Sequence, residues 1–463
     1  MSRIFISAAH KSSGKTTISI GLCHALTELG NVVQPFKKGP DYIDPMWLSA
    51  AANRDCYNLD FYTMQHSEII DKFQSGNTGS DISLIEGNKG LYDGLDLDGK
   101  NSNAALAKLL KTPVILVIDA RGMTRGIAPL ILGYQSFDSD VNIAGVILNQ
   151  LGGSRHESKL RSVIEHYTDI TVIGAVHRKA ELEIKERHLG LMPSNESDIA
   201  NKQISQLGKH ISEQVDLDSV INMASLAKPL SFGEVTKIPT EIIAASTTLK
   251  LGIASDSAFG FYYPDDLLKF KNLGTEIVPV NLLNDHGLPE LDGLFIGGGF
   301  PETQMQKLEN NISMRKSIKS ALDNGLPCYA ECGGLMYLSD SITWKNQTFD
   351  MAGVISARIK MHDKPQGRGY IQLEHTGEQL WTISQNNISA HEFHYSSIDM
   401  LSDAYRYAYN VKRGSGIDGK SDGIIYKNTL AGYAHLKDTK QSPWVEQFVH
   451  FMHQCKNNEV QNS

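Results

Sequence analysis

Short apolar runs separated by amphipathic segments constrain this chain more than any other feature of it. Through the first 200 residues RIFISA (3–8), NVVQPF (31–36), DISLIEG (81–87), PVILVID (113–119), NIAGVILN (142–149) and DITVIGAV (169–176) follow one another. Each is β-branched and nearly continuous in its apolarity, the pattern of a strand covered on both faces. With helical text between them, such strands predict a parallel α/β sheet. A second series begins with KLGIAS (250–255), continues through TEIVPV, GLFIGGG and PCYAECGG, and ends with DGIIYK and LAGYAHL (430–436). Between the two series lies polar helical text and then GEVTKIPTEIIAASTT (233–248), which has no strong period. The 463 residues exceed what one core ordinarily holds. We therefore expect α/β domains over 1–205 and 248–455, a linker over 206–247 and a disordered tail over 456–463.

The segment FISAAHKSSGKTTISIGL (5–22) runs from a strand through a small polar loop into an apolar helix. Ala9, Gly14, Lys15 and Thr16 fit the phosphate-loop pattern G-x-x-x-x-G-K-[ST], with Ala9 in place of the first glycine. Backbone N–H groups at the helix start, with Ser12, Ser13, Gly14 and Thr17 around them, suit phosphate oxygens. Lys15 supplies a charge to the β and γ phosphates, and the Thr16 hydroxyl suits Mg²⁺. FKKGPDYIDP (36–45) places Lys37, Lys38, Asp41 and Asp44 after a strand, and LIEGNKGLYDG (84–94) places Glu86 at a strand end. Charges at strand C-termini lie where parallel sheets bind ligands. Asp41 and Glu86 are expected to serve Mg²⁺ and Lys37 a phosphate or carboxylate.

PCYAECGGLMYL (327–338) repeats the strand, turn and helix logic. Ala330 and Gly334 flank Cys332 at two positions on either side, the small residues that a nucleophile elbow needs for its strained turn to close. Gly297, Gly298 and Gly299 follow another strand and suit a backbone oxyanion hole together with Gly333. His435, at the end of the last strand, is the expected base. Cys328 reads as an inert core residue. AHEFHYS (390–396) carries His391, Glu392 and His394, for which substrate contact or structural hydrogen bonding is preferred to a metal site.

These motifs in this order resemble the cobyrinate a,c-diamide synthase family, over nearly the whole chain. GVILNQLGGSRH (145–156), ERHLGL (186–191), SDSAFGFYYPDDL (255–267), IGGGFPE (296–302) and HEFHYS complete the likeness. The resemblance implies an N-terminal P-loop NTPase-like synthetase domain related to dethiobiotin synthetase, followed by a class I glutamine amidotransferase-like α/β domain. It implies that glutamine is hydrolysed at Cys332 with His435 as base, and that the ammonia passes to carboxylates activated by ATP as acyl phosphates. Lys15 and Thr16 would hold ATP and Mg²⁺, Asn149 would contact adenine, and Asp41 and Glu86 would assist metal or substrate. Lys37, Asp44, Lys89, Tyr92 and Asp93 are the expected substrate residues. Related amidotransferases carry an acid two residues beyond the histidine; Lys437 stands there, so His435 is left without an evident orienting carboxylate.

The text departs from the family pattern at Lys89 and in KPQGRGY (364–370), which includes Arg368. Cobyrinate, hydrogenobyrinate and a sirohydrochlorin- or siroheme-type tetrapyrrole all carry acetate groups suited to this chemistry, and all stay open as acceptors. A ParA-like switch ATPase with a degenerate second domain is the rival from another class. Lys and Arg number 44 against 52 Asp and Glu, so no broad attraction to nucleic acid or anionic lipid is expected. Five cysteines lack paired C-x-x-C spacing, no secretory leader pattern precedes RIFISAAHK, and the longest apolar run is PVILVI (113–118). A soluble cytoplasmic enzyme with small-molecule partners is expected, namely a corrinoid or other tetrapyrrole, L-glutamine and ATP, with a homodimer left open.

Overall fold

The computed structural model describes residues 1–179, 184, 186–187, 190–196, 199–230, 248–381, 385–402 and 404–462. The chain divides into two compact units, Met1–Val235 and Thr236–Ser463.

In the first unit, seven strands form one sheet: β1 (Ser2–Ala8), β2 (Val33–Lys38), β3 (Tyr57–Leu59), β4 (Ile82–Glu86), β5 (Val114–Asp119), β6 (Ile143–Leu151) and β7 (Thr171–His177). Their order is β3-β2-β4-β1-β5-β6-β7 and every neighbouring pair is parallel. Six of them coincide with the apolar runs. The three-residue β3 is too short to show a period. Ile4, Phe5, Ile6, Leu84, Ile85 and Val114 to Val117 are fully buried, as strands covered on both faces must be. Helices Ala200–Gln214 and Leu217–Ser225 occupy the start of the segment expected as a linker, and the first of them packs on helix α1 (Lys15–Glu28). The remainder, residues 231–247, lies outside the described residues, as do 188 and 189 of ERHLGL.

The second unit is built on a nine-stranded mixed sheet. Strands Thr275–Val280, Leu249–Ala254, Gly293–Ile296, Cys328–Glu331 and Thr429–Gly432 lie side by side and parallel. Ser421–Tyr426, Arg406–Arg413, Gly367–His375 and Asn387–His394 extend it antiparallel. A separate four-stranded sheet carries Ser339–Trp344 and Ile355–Met361. Helix Trp444–Asn462 runs through the stretch expected as a disordered tail. Its Trp444, Phe448 and Met452 join Phe295 and Tyr329 in the core, so packing anchors the part of the helix before the expected tail.

Candidate active site

The phosphate loop spans residues 9–14 between β1 and α1. Gly14 closes it at φ +85, a conformation that L side chains rarely adopt, and a Cβ there would lie 2.2 Å from Asn149 Nδ2. Asn149 Nδ2 donates to the Ser13 carbonyl at 2.9 Å, the Ser13 hydroxyl donates to the His10 carbonyl at 2.8 Å, and the Tyr134 hydroxyl donates to the Ala9 carbonyl. Asn149, expected at adenine, thus braces the loop from the end of β6. Ser12 is exposed at φ +66, and Thr16 and Thr17 are half-buried in the first turn of α1. Lys15 is 6 % exposed, and burial, assisted by Lys37, holds its ammonium below the ordinary lysine value.

Beside the loop, the C-terminal ends of β2 and β4 bring four predicted residues together. Lys37 Nζ pairs with Asp44, stands 3.0 Å from Glu86 Oε1 and 3.7 Å from Asp41 Oδ2. The Thr16 hydroxyl donates to Glu86 Oε1 at 2.7 Å and contacts Asp44 Oδ2 at 3.2 Å. Asp41 Oδ1 accepts the N–H groups of Ile43 and Asp44, which fixes the start of helix α2 (Ile43–Ala52). Burial drives Asp41 up to about 7, helped by Asp44. Burial also raises Glu86, whereas for Asp44 the Lys37 ammonium overrides burial and lowers it. Among the described residues, Glu86 Oε2 is buried without a hydrogen-bond partner. A hydroxyl, carboxylate oxygens and one unpartnered carboxylate oxygen fit Mg²⁺, which is ordinarily held by one or two carboxylates together with substrate phosphates. The substrate candidates divide. Lys37 and Asp44 belong to this cluster, whereas Lys89 is exposed, Tyr92 donates to the Tyr134 carbonyl at 2.6 Å, and Asp93 accepts from Gly90 N at 2.9 Å. Lys38 is 1 % exposed and bonds the Asn101 carbonyl at 2.5 Å; burial lowers it to about 8.

In the second unit three adjacent parallel strands end at one place. Gly293–Ile296 leads to Gly297–Gly299, Cys328–Glu331 to Cys332, and Thr429–Gly432 to His435. Cys332 sits at φ +47, ψ −99, the strained turn that an elbow requires. A Cβ on Gly334 would lie 2.1 Å from the Ile296 carbonyl oxygen, and one on Gly333 would lie 3.1 Å from Gly299 N. Small residues are therefore required at 334 by backbone contact. Gly298 abuts His435, since a Cβ there would stand 2.6 Å from its Cε1, while Gly297 N donates to the Tyr262 hydroxyl at 3.0 Å.

Cys332 is 6 % and His435 3 % exposed, the Cys332 thiol donates to the Phe393 carbonyl at 3.8 Å, and the Cys332 and His435 side chains interact. Sequence reading left the histidine without a carboxylate; the structure supplies Glu331, whose Oε2 is 3.4 Å from His435 Nδ1. The signal lay inside the quoted motif, as the residue before the cysteine. Although burial opposes it, contact with Cys332 and Glu331 raises His435 to about 10. His391 stacks on His435 at 4.8 Å and meets the Tyr263 hydroxyl at 3.3 Å. Glu392 accepts the N–H groups of Ser415 and Gly416, and His394 Nδ1 contacts the Ser396 carbonyl. Among the described residues no group of three or more His, Cys, Asp or Glu is placed to hold a metal.

A phosphate loop in one unit and a cysteine elbow facing a histidine in the other define a chain that joins a nucleotide-binding domain to a glutamine amidotransferase domain. Residues 2–186 match the AAA domain family, and residues 250–441 match the CobB/CobQ-like glutamine amidotransferase domain. A protein of Magnetococcus marinus named cobyrinate a,c-diamide synthase is 44% identical over 97% of this chain and 97% of its own length. One of that name from Methanosarcina acetivorans is 42% identical over 94% of this chain and 92% of its length, and one from Caldanaerobacter subterraneus is 37% identical over 97% and 98%. The chain belongs to the cobyrinate a,c-diamide synthase family. No helix among the described residues is long and apolar enough to cross a membrane.

Proposed function

We propose that this protein is a ligase that uses ATP and glutamine to amidate the a and c acetate carboxylates of a corrinoid. The observation that carries the glutamine half is the Cys332–His435 pair set beside Glu331 on an elbow. His435 takes the thiol proton and the Cys332 sulfur attacks the side-chain amide carbon of glutamine, with Gly298, Gly299 and Gly333 around the developing oxyanion. His435 returns the proton as the C–N bond breaks, ammonia leaves, and water hydrolyses the thioester to glutamate and the free thiol.

In the first unit the loop N–H groups and Lys15 hold the ATP phosphates, and Lys37 with Asp44 orients the acceptor carboxylate. A free carboxylate is a poor electrophile, so γ-phosphoryl transfer creates an acyl phosphate that ammonia displaces with loss of inorganic phosphate. Mg²⁺, held by Thr16 and Glu86, with Asp41 close by, would neutralise phosphate charge when bound. The names of the relatives support cobyrinate as acceptor, and no observation favours a sirohydrochlorin-type one. An elbow with its histidine and carboxylate in contact also argues against a degenerate second domain.

The test is mass spectrometry of products after supplying Mg-ATP and glutamine with cobyrinate, hydrogenobyrinate and sirohydrochlorin in competition. Two successive amidations of a corrinoid are expected. Amidation of sirohydrochlorin alone, or ATP hydrolysis with no amide formed, would reject the assignment.

A further inference from the structure

We propose that Glu331, the residue immediately before the nucleophile, is the positioning carboxylate for His435, supplied from the neighbouring parallel strand. The inference rests on the glutaminase reading above. Glu331 pairs in register with Gly432 on the strand that leads to the histidine, so its side chain reaches the imidazole across one strand spacing. Both side chains are buried, Glu331 at 2 % and His435 at 3 % exposure.

The carboxylate is fixed before it meets the ring. Its Oε1 accepts the Leu436 N–H at 2.8 Å and the Tyr329 hydroxyl at 2.7 Å, which leaves Oε2 for His435 Nδ1 at 3.4 Å. A hydrogen on Nδ1 on the Glu331 side leaves Nε2 to take the Cys332 proton, the tautomer a general base requires. Lys437, two residues beyond the histidine, cannot do this. Its ammonium is bound to Asp265 at 2.8 Å and lies 4.3 Å over the Tyr263 ring. Cys332 and His391 also face His435, the His391 ring stacking on it and contacting Tyr263. Glu331 is thus an anion in contact with the imidazole, and the contact helps to raise His435 above its ordinary value.

Glu331→Gln preserves shape and the acceptor for Leu436 but offers Nδ1 a donor in place of an acceptor. The imidazole then takes the wrong tautomer. Loss of kcat for glutamine hydrolysis by a factor of about 10² or more is expected, with KM for glutamine nearly unchanged. A structural role would not move a second readout, the pH onset of iodoacetamide alkylation at Cys332, measured on the Cys332 peptide by mass spectrometry. That onset is expected to rise by about one pH unit in Glu331→Gln and to stay near the wild-type value in Glu331→Asp, which retains the charge. Ammonia-dependent amidation checks that each variant is folded.

Wild-type kcat with an unshifted alkylation profile in folded Glu331→Gln would overturn the proposal, as would equal shifts in the Gln and Asp variants. If Cys332→Ala itself keeps glutamine-dependent amidation, the glutaminase reading has failed rather than the role of Glu331.

Discussion

Gly334→Ala places the elbow under a defined stress. The added Cβ would lie 2.1 Å from the Ile296 carbonyl oxygen and 3.0 Å from its carbonyl carbon, whereas real Cβ atoms essentially never come within 3.0 Å of another heavy atom. At least about 0.9 Å of relief is needed, and the obstacle is backbone. Ile296 pairs in register with Ala330, two residues before Cys332, so neither the strand nor the turn can move alone. Overpacking of this kind costs on the order of 1–3 kcal/mol, a fall in melting temperature of about 5 °C for a unit of this size. A displacement near 1 Å at the nucleophile lowers kcat for glutamine hydrolysis by about 10²-fold. Gly333→Ala meets Gly299 N and Pro301 Cδ at 3.1 Å, a tightness that shifts of a few tenths of an ångström relieve, so it is expected to melt closer to the wild type. Calorimetry and glutamate release, with ammonia-dependent amidation as control, read all three effects. Wild-type glutamate release in Gly334→Ala, or greater destabilisation by Gly333→Ala than by Gly334→Ala, would refute the reasoning.

Cys332→Ala is expected to abolish glutamine-dependent amidation while high ammonia still supports turnover, because only the nitrogen source is lost; loss of both in a folded protein, read by product mass, counts against two separate sites. Lys15→Ala is expected to abolish amidation from either nitrogen source, since the charge on the ATP phosphates is removed, and persisting phosphate release would reject the loop assignment. The pH dependence follows from His435, raised from an ordinary 6.5 to about 10. Protons are bound more tightly in the folded state, so this contribution to stability is fully present below about 6.5 and is lost as pH rises through about 10. Calorimetry should show the second unit's transition falling across that window in the wild type and falling less in Glu331→Gln.

Strands of both units were legible because a strand covered on both faces is a nearly continuous apolar run, as the fully buried Gly293–Ile296 and Cys328–Glu331 show in the second sheet. The antiparallel strands Gly367–His375 and Arg406–Arg413 were not, because their exposed and charged positions interrupt the pattern. Helix Trp444–Asn462 starts with core aromatics but ends in polar text, which hid its continuation. At the first site, the convergence of Lys37, Asp44 and Glu86 was legible because all three stand at or just beyond the C-terminal ends of buried strands. Lys89, Tyr92 and Asp93 were taken from the same motif, yet a turn sends neighbouring residues in different directions, and only coordinates separate them. Asn149 lies near the end of its strand, and its hydrogen bond to the Ser13 carbonyl is a contact that the motif alone does not show. Glu331 was not legible as a partner of His435 because strand pairing, not proximity along the chain, brings together residues 104 positions apart.

A separate backbone bridge, antiparallel between His391 and His435, accounts for His391, which motif reading could not place. Two imidazoles stacked 4.8 Å apart at 15° cannot both carry a proton without strong mutual repulsion. The surroundings decide between them. Burial drives His391 well below its ordinary value, aided by His435 and by Lys437, while Cys332 and Glu331 hold the charge on His435. Lys437 acts here from a distance: its ammonium is neutralised by Asp265, lies over the Tyr263 ring, and Tyr263 in turn contacts His391. A carboxylate at position 437 in the same pocket would favour a proton on His391 and set two cations face to face. With the acid supplied by Glu331 from the adjacent strand, a cation at 437 keeps the second ring neutral, and the proton needed for ammonia release stays on the ring that touches the sulfur.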